Sequence, residues 1–113
     1  MPTLKYSDLI AEAKQEINEK GLVFEGKDGK TIKLRPILYL GKEELQVVQT
    51  MLNVVRDEQK DLFDRLEAIE KILVAAADRK DAFKKSLADL PPSVCTRIFE
   101  EWMEAGQMGE ASA

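Results

Sequence analysis

The sequence predicts a mainly α-helical protein with a small N-terminal β-hairpin, an α+β chain folded as a compact helical bundle. Three observations lead there. From residue 42 onward, apolar residues recur at steps of three and four. Over 22–35, apolar and polar residues instead alternate, as in a half-buried strand pair. Gly21, Gly41 and Pro91-Pro92 punctuate the chain between these segments. With 113 residues, 44% hydrophobic and 34% charged, the chain suits one folded domain over 1–106 and a flexible tail over 107–113.

The first helix is expected over 7–20. Ser7 is placed to cap it, Asp8 suits its positive start and Lys20 its negative end. Ile10, Ala13 and Ile17 share one face, and Gly21 stops the helix. A hairpin follows over 22–35. A two-residue loop at Asp28-Gly29 would split its apolar face. A three-residue loop, Lys27-Asp28-Gly29 with Gly29 left-handed, pairs Phe24 with Ile32 and Leu22 with Leu34. All four apolar residues then lie on one side, so that register is preferred.

Residues 42–77 contain no Gly or Pro, and Leu45, Val48, Leu52, Val55, Gln59, Leu62, Leu66, Ile69, Leu73 and Ala76 keep heptad phase. One helix of this length would run about 54 Å at about 1.5 Å per residue, too long for a compact domain of this size. Two helices, 42–56 and 58–77, breaking at the polar cluster near Arg56–Lys60, are therefore expected; an unbroken rod is the alternative. Asp78 is placed to cap a helix over 79–88, which Leu90-Pro91-Pro92 ends. A last helix, 92–105, carries Val94, Cys95, Ile98, Phe99, Trp102 and Met103 on one stripe, and Gly106 is expected to stop it.

The residues give no catalytic constellation. The chain has no His, so the commonest general base is missing. Its one cysteine, Cys95, lies on an apolar stripe and can form no internal disulfide. Scattered acids give no metal-ligand spacing, and the glycines at 26 and 29 form a turn rather than a phosphate loop. No enzyme activity, cofactor or metal is expected. Net charge is −4, and the pairs Arg79-Lys80 and Lys84-Lys85 are interrupted by Asp81, so nucleic acid is not an expected partner. No apolar run is long enough for a membrane span and no secretory leader follows Met1. A cytoplasmic protein without a membrane partner is expected. Ile98, Phe99, Trp102 and Met103 have two readings: packing in the chain's own core, or an aromatic anchor for a protein partner.

The run Ile72-Leu73-Val74-Ala75-Ala76-Ala77-Asp78, the Leu90-Pro91-Pro92 break, the block Phe99-Glu100-Glu101-Trp102-Met103-Glu104-Ala105 and the closing Gly109-Glu110-Ala111-Ser112 resemble the tail assembly chaperones of long-tailed (siphovirus) phages of actinobacteria. The layout of the front half, an acidic helix, a hairpin and a Lys-Glu-Glu helix start, is similar too. The resemblance implies a non-catalytic protein of the host cytoplasm, absent from the mature virion. It would bind the tape measure protein, keep it soluble and help tail tube protein assemble around it. It would be the short product of a gene that also makes a longer frameshift form, a further partner. Homo-oligomers are compatible with this reading. Two alternatives remain at this stage: a small head–tail connector or tail component kept in the virion, and a dimeric coiled-coil adaptor built on the 45–76 heptads.

Overall fold

The computed structural model describes residues 3–111, with side chains described through residue 106. It is mainly helical with one antiparallel hairpin. Helix α1 spans Tyr6–Lys20, strands β1 and β2 span Leu22–Glu25 and Thr31–Leu34, and a 3₁₀ turn covers Ile37–Tyr39. Helices α2 (Lys42–Arg56), α3 (Leu62–Ala76), α4 (Lys80–Ala88) and α5 (Pro92–Ala111) follow.

The hairpin adopts the register that the alternation predicts. Leu22 pairs with Leu34 and Phe24 with Ile32. The Gly26 N–H donates to the Lys30 carbonyl at 2.9 Å, and Gly29 carries φ 79°, the left-handed conformation this loop requires. Ile32 and Leu34 are fully buried. The far edge of β2 does not face water. Leu34 bridges Ala77, the Asp78 N–H donates to the Lys33 carbonyl at 3.0 Å, and Lys33 N–H donates to the Asp78 carboxylate at 2.9 Å. The segment after α3 thus acts as a short third rail that satisfies the sheet edge.

That contact corrects the expected role of Asp78. Its carboxylate is turned to β2, helix α4 starts one residue later than expected, and Arg79 at the cap position makes no side-chain capping bond. Ser7 is likewise no cap: α1 begins at Tyr6, behind Lys5, and Ser7 lies inside the first turn. The α2–α3 segment breaks as the polar cluster predicts, at 57–61. Asp61 caps α3 by accepting from the Asp64 N–H at 2.8 Å, and the Arg65 guanidinium donates back to the Val55 carbonyl at 2.9 Å, closing the corner. The heptad residues Val48, Ile69, Leu73 and Ala76 meet inside one chain, with Leu52 and Val55 against them. Helix α5 differs from expectation at its end: it continues past Gly106 to Ala111. One glycine costs a helix only about 1 kcal/mol, which does not force a stop. A Cβ at Gly106 would sit 3.7 Å from the Pro36 ring, so the position also lies beside another element. Residues 112–113 of the expected tail lie outside the described residues.

The core joins β2, α2, α3, α4 and α5 in one cluster around Ile72, Leu73 and Phe83. Phe24 meets Phe83 edge-on at a centroid distance of 5.3 Å. The hairpin loop sits on α4 through the Lys27 N–H, which donates to Ser86 Oγ at 2.9 Å, and through the Lys27–Asp89 ion pair. Helix α1 is the exception. None of its residues is buried, and Tyr6 is 80% exposed. Truncating fully buried Phe83 to Ala removes the ring that joins hairpin to bundle. It is expected to cost about 3–5 kcal/mol, read as a lowered urea midpoint by circular dichroism.

Candidate functional site

The stripe on α5 resolves into two parts. Trp102 is 1% exposed and Ile98 8% exposed, so both belong to the core. Phe99 and Met103 are half-buried and pack against the same cluster. The indole Nε1–H donates to the Arg35 carbonyl at 2.8 Å, which satisfies the one polar atom of the ring. Phe99 lies against Trp102 at a centroid distance of 6.1 Å. The structure therefore places Trp102 and Ile98 in the first of the two roles, core packing. A partner would reach them only by opening the bundle. Cys95 is buried, and burial pushes its thiol above the usual range, with the Glu70 carboxylate adding to the shift. That is the behaviour of a small core residue, not of a nucleophile.

The other surface that could take a partner, the hairpin edge, is short. The β2 side is covered, and the free β1 edge spans four residues with Val23 60% exposed.

The structure shows a site that the apolar stripe of α5 did not reveal. Helices α2, α3 and α4 enclose an open groove of about 710 Å³. Val47 and Met51 form the α2 wall, Val74 and Ala75 the floor on α3, and Leu87 and Ala88 the α4 wall. Val47 is 43% exposed although it is apolar. The rim is charged and uneven. Glu43 and Glu44 stand on the α2 side, Lys80 and Lys84 on the α4 side, and an exposed Glu67–Lys71 pair lies along α3. The signal was present in the sequence. Val47, Met51 and Val54 repeat at helical spacing one step away from the Val48, Leu52, Val55 seam, so α2 has a second apolar stripe.

One end of the groove is fixed by an ionic cluster. Glu44 Oε2 accepts from Arg35 at 2.7 Å and from Lys80 at 2.6 Å, and its Oε1 accepts from the Gly41 N–H at 3.2 Å. Arg35 and Lys80 also donate to the carbonyls that end α3. Arg35 reaches Ala76 at 3.2 Å and Ala75 at 3.3 Å; Lys80 reaches Ala77 at 2.9 Å and Ala75 at 3.1 Å. These are orphan acceptors at the negative end of a helix, where cations are favoured. Partial burial would raise the Glu44 pKa. The hydrogen bonds from Arg35, Lys80 and Gly41 outweigh it and hold the carboxyl at about 2.

Among the described residues, no group of His, Cys, Asp and Glu could hold a metal ion, and no helix is long and apolar enough to cross a membrane. The groove offers apolar contact area edged by the carboxylates of Glu43, Glu44, Glu67 and Glu70 and the amines of Lys71, Lys80 and Lys84. No family model, curated protein or solved structure matches the chain.

Two outcomes follow from this geometry. Because the folded pKa of Glu44 lies below its ordinary 4.5, its contribution of about 2–3 kcal/mol is present above pH 4.5 and lost as pH falls toward 2. Glu44→Gln should remove that contribution at neutral pH and flatten the acid limb of stability between pH 4.5 and 2, measured by urea titrations at a series of pH values. Trp102→Phe leaves the Arg35 carbonyl without its indole donor and is expected to cost about 1–3 kcal/mol. The loss should appear in the same urea assay, with α-helical content unchanged.

Proposed function

We propose that this chain is a tail assembly chaperone of a long-tailed phage, a non-enzymatic protein that binds the tape measure protein and keeps it soluble. The observation that carries the reading is the apolar groove between α2, α3 and α4, open to solvent and edged by charged side chains. A soluble protein that leaves such a surface uncovered has a use for it in binding. The sequence resemblance names the client: a very long, helix-rich chain whose apolar side must be covered until tube subunits replace the chaperone. The net charge of −4 keeps the outer surface of such a complex dispersed. Many shallow contacts along one client give avidity while each remains displaceable. In this reading the protein works in the host cytoplasm alongside its longer frameshift form and the tail tube protein, and leaves before the virion is complete.

Six of the ten heptad residues, Val48, Leu52, Val55, Ile69, Leu73 and Ala76, pack in the chain's own core, which takes much of that face from the coiled-coil adaptor alternative. The connector alternative differs in one observable, retention in the particle. Co-expression with the tape measure protein of the same phage should move that protein from the pellet to the soluble fraction, with both chains co-eluting. Purified virions should lack the chain by mass spectrometry. An insoluble tape measure protein, or a stoichiometric copy in the virion, would overturn the reading.

A further inference from the structure

Three features of the groove restrict what can lie in it. Its walls are the sides of helices, whose backbone N–H and C=O groups are used in their own i to i−4 bonds. An extended segment laid there would bury peptide groups with no partner, whereas a helix brings its own bonds satisfied. The lining runs from Glu43 to Met51 along α2 and from Glu67 to Ala75 along α3. Each run is about 12 Å at about 1.5 Å per residue, or roughly two helical turns. The rim is polarised across its width, with Glu43 beyond the α2 wall and Lys84 beyond the α4 wall, both exposed. At one end Glu44 is shared by Lys80 and Arg35, and along the floor Glu67 pairs with Lys71, while Glu70 adds a further carboxylate on α3. The two charges on the outer walls, Glu43 on α2 and Lys84 on α4, make no ion pair among the described residues and are of opposite sign.

We propose that the groove docks an amphipathic α-helix of the partner, carrying a two-turn apolar stripe with basic residues on the flank facing α2 and acidic residues on the flank facing α4. This rests on the chaperone reading and names the class of client segment that the site takes. Exchanging the two ends of a helix exchanges its flanks, so the same charge pattern also fixes the direction in which the helix lies. Apolar burial supplies most of the affinity, and the rim charges select the orientation and reject uniformly acidic or uniformly basic helices.

The test uses the full chain and three labelled synthetic 18-residue peptides, all with Leu at i, i+3, i+4 and i+7. One has Lys along one flank and Glu along the other, one has Glu on both flanks, and one has Lys on both. Fluorescence anisotropy should show the split-flank peptide binding about tenfold tighter than either uniform peptide, the sum of a few rim interactions. A central Pro in that peptide should abolish binding. Val47→Asp should abolish it as well, and Lys84→Glu should shift the preference to the all-Lys peptide. Both side chains are exposed, and circular dichroism checks that the variants fold. Equal binding of the Pro peptide, indifference to Val47→Asp, or no binding of any peptide would overturn the proposal. So would self-association of the free chain that Val47→Asp dissolves, since a second copy would then be the occupant. Capture of the tape measure protein that survives Val47→Asp would remove the groove as the site and leave the chaperone reading standing. Peptide binding without tape measure capture would do the reverse.

Discussion

The C-terminus of α3 is where the structure is tied together. Its last carbonyls point at Arg35 from the end of β2 and at Lys80 from the start of α4, and both cations share one carboxylate, Glu44 of α2. A helix end buried without partners would leave several acceptors unpaired. Here two side chains from distant parts of the sequence meet them. Neither cation could sit so close to the other without Glu44 between them. The same Arg35 gives its backbone carbonyl to Trp102, so α5 is aligned to this point as well. Four helices and the end of β2 thus meet at one residue triplet and one indole.

The consequences run outward from that cluster. With α3 ending at Ala76, the chain can lay Ala77 and Asp78 against β2 and seal its edge. That commits Asp78 to the strand, so α4 starts without a side-chain cap and depends instead on packing through Phe83 and Leu87. Lys80 is held in the first turn of α4, an unfavourable place for a cation by the helix dipole alone. The α3 carbonyls and Glu44 compensate for it. The Glu44–Lys80 pair ties α2 to α4 at one end, and beyond it the groove between them lies open.

Periodicity made the fold class legible. The alternation of Leu22, Phe24, Ile32 and Leu34 specified the hairpin register because any other register would divide its apolar face. Polar residues at 56–60 marked the corner between α2 and α3. Local rules for helix ends failed at three positions. Ser7 and Asp78 look like caps, but one falls inside a helix and the other pairs with a strand forty-five residues away. Gly106 looks like a stop, but α5 runs on beside Pro36. The ionic cluster was invisible because Arg35, Glu44 and Lys80 have no common spacing or motif. The aromatic stripe on α5 was visible, but exposure is not written in a stripe. Trp102 turned inward, while the second stripe of α2, less conspicuous because it holds Val and Met, faced the opening.

A site made of Val, Met, Ala and Leu with charged edges has a particular energetic character. Each apolar side chain covered contributes about 1.5–3 kcal/mol at most before the cost of ordering the partner is subtracted. Met51, Val74, Ala75 and Leu87 already touch the core, so one docked helix gains only the remainder. Single contacts of that kind are weak and exchange quickly. For an enzyme or a permanent complex this would be a defect. For a protein that must shield a long chain and then yield it, weak repeated contacts are the requirement, because tight ones would block the subunits that follow. The contacts at Glu44 join α2, α3 and α4 at one end of the groove, and a groove already formed in the free chain spends little of that small gain on reorganisation.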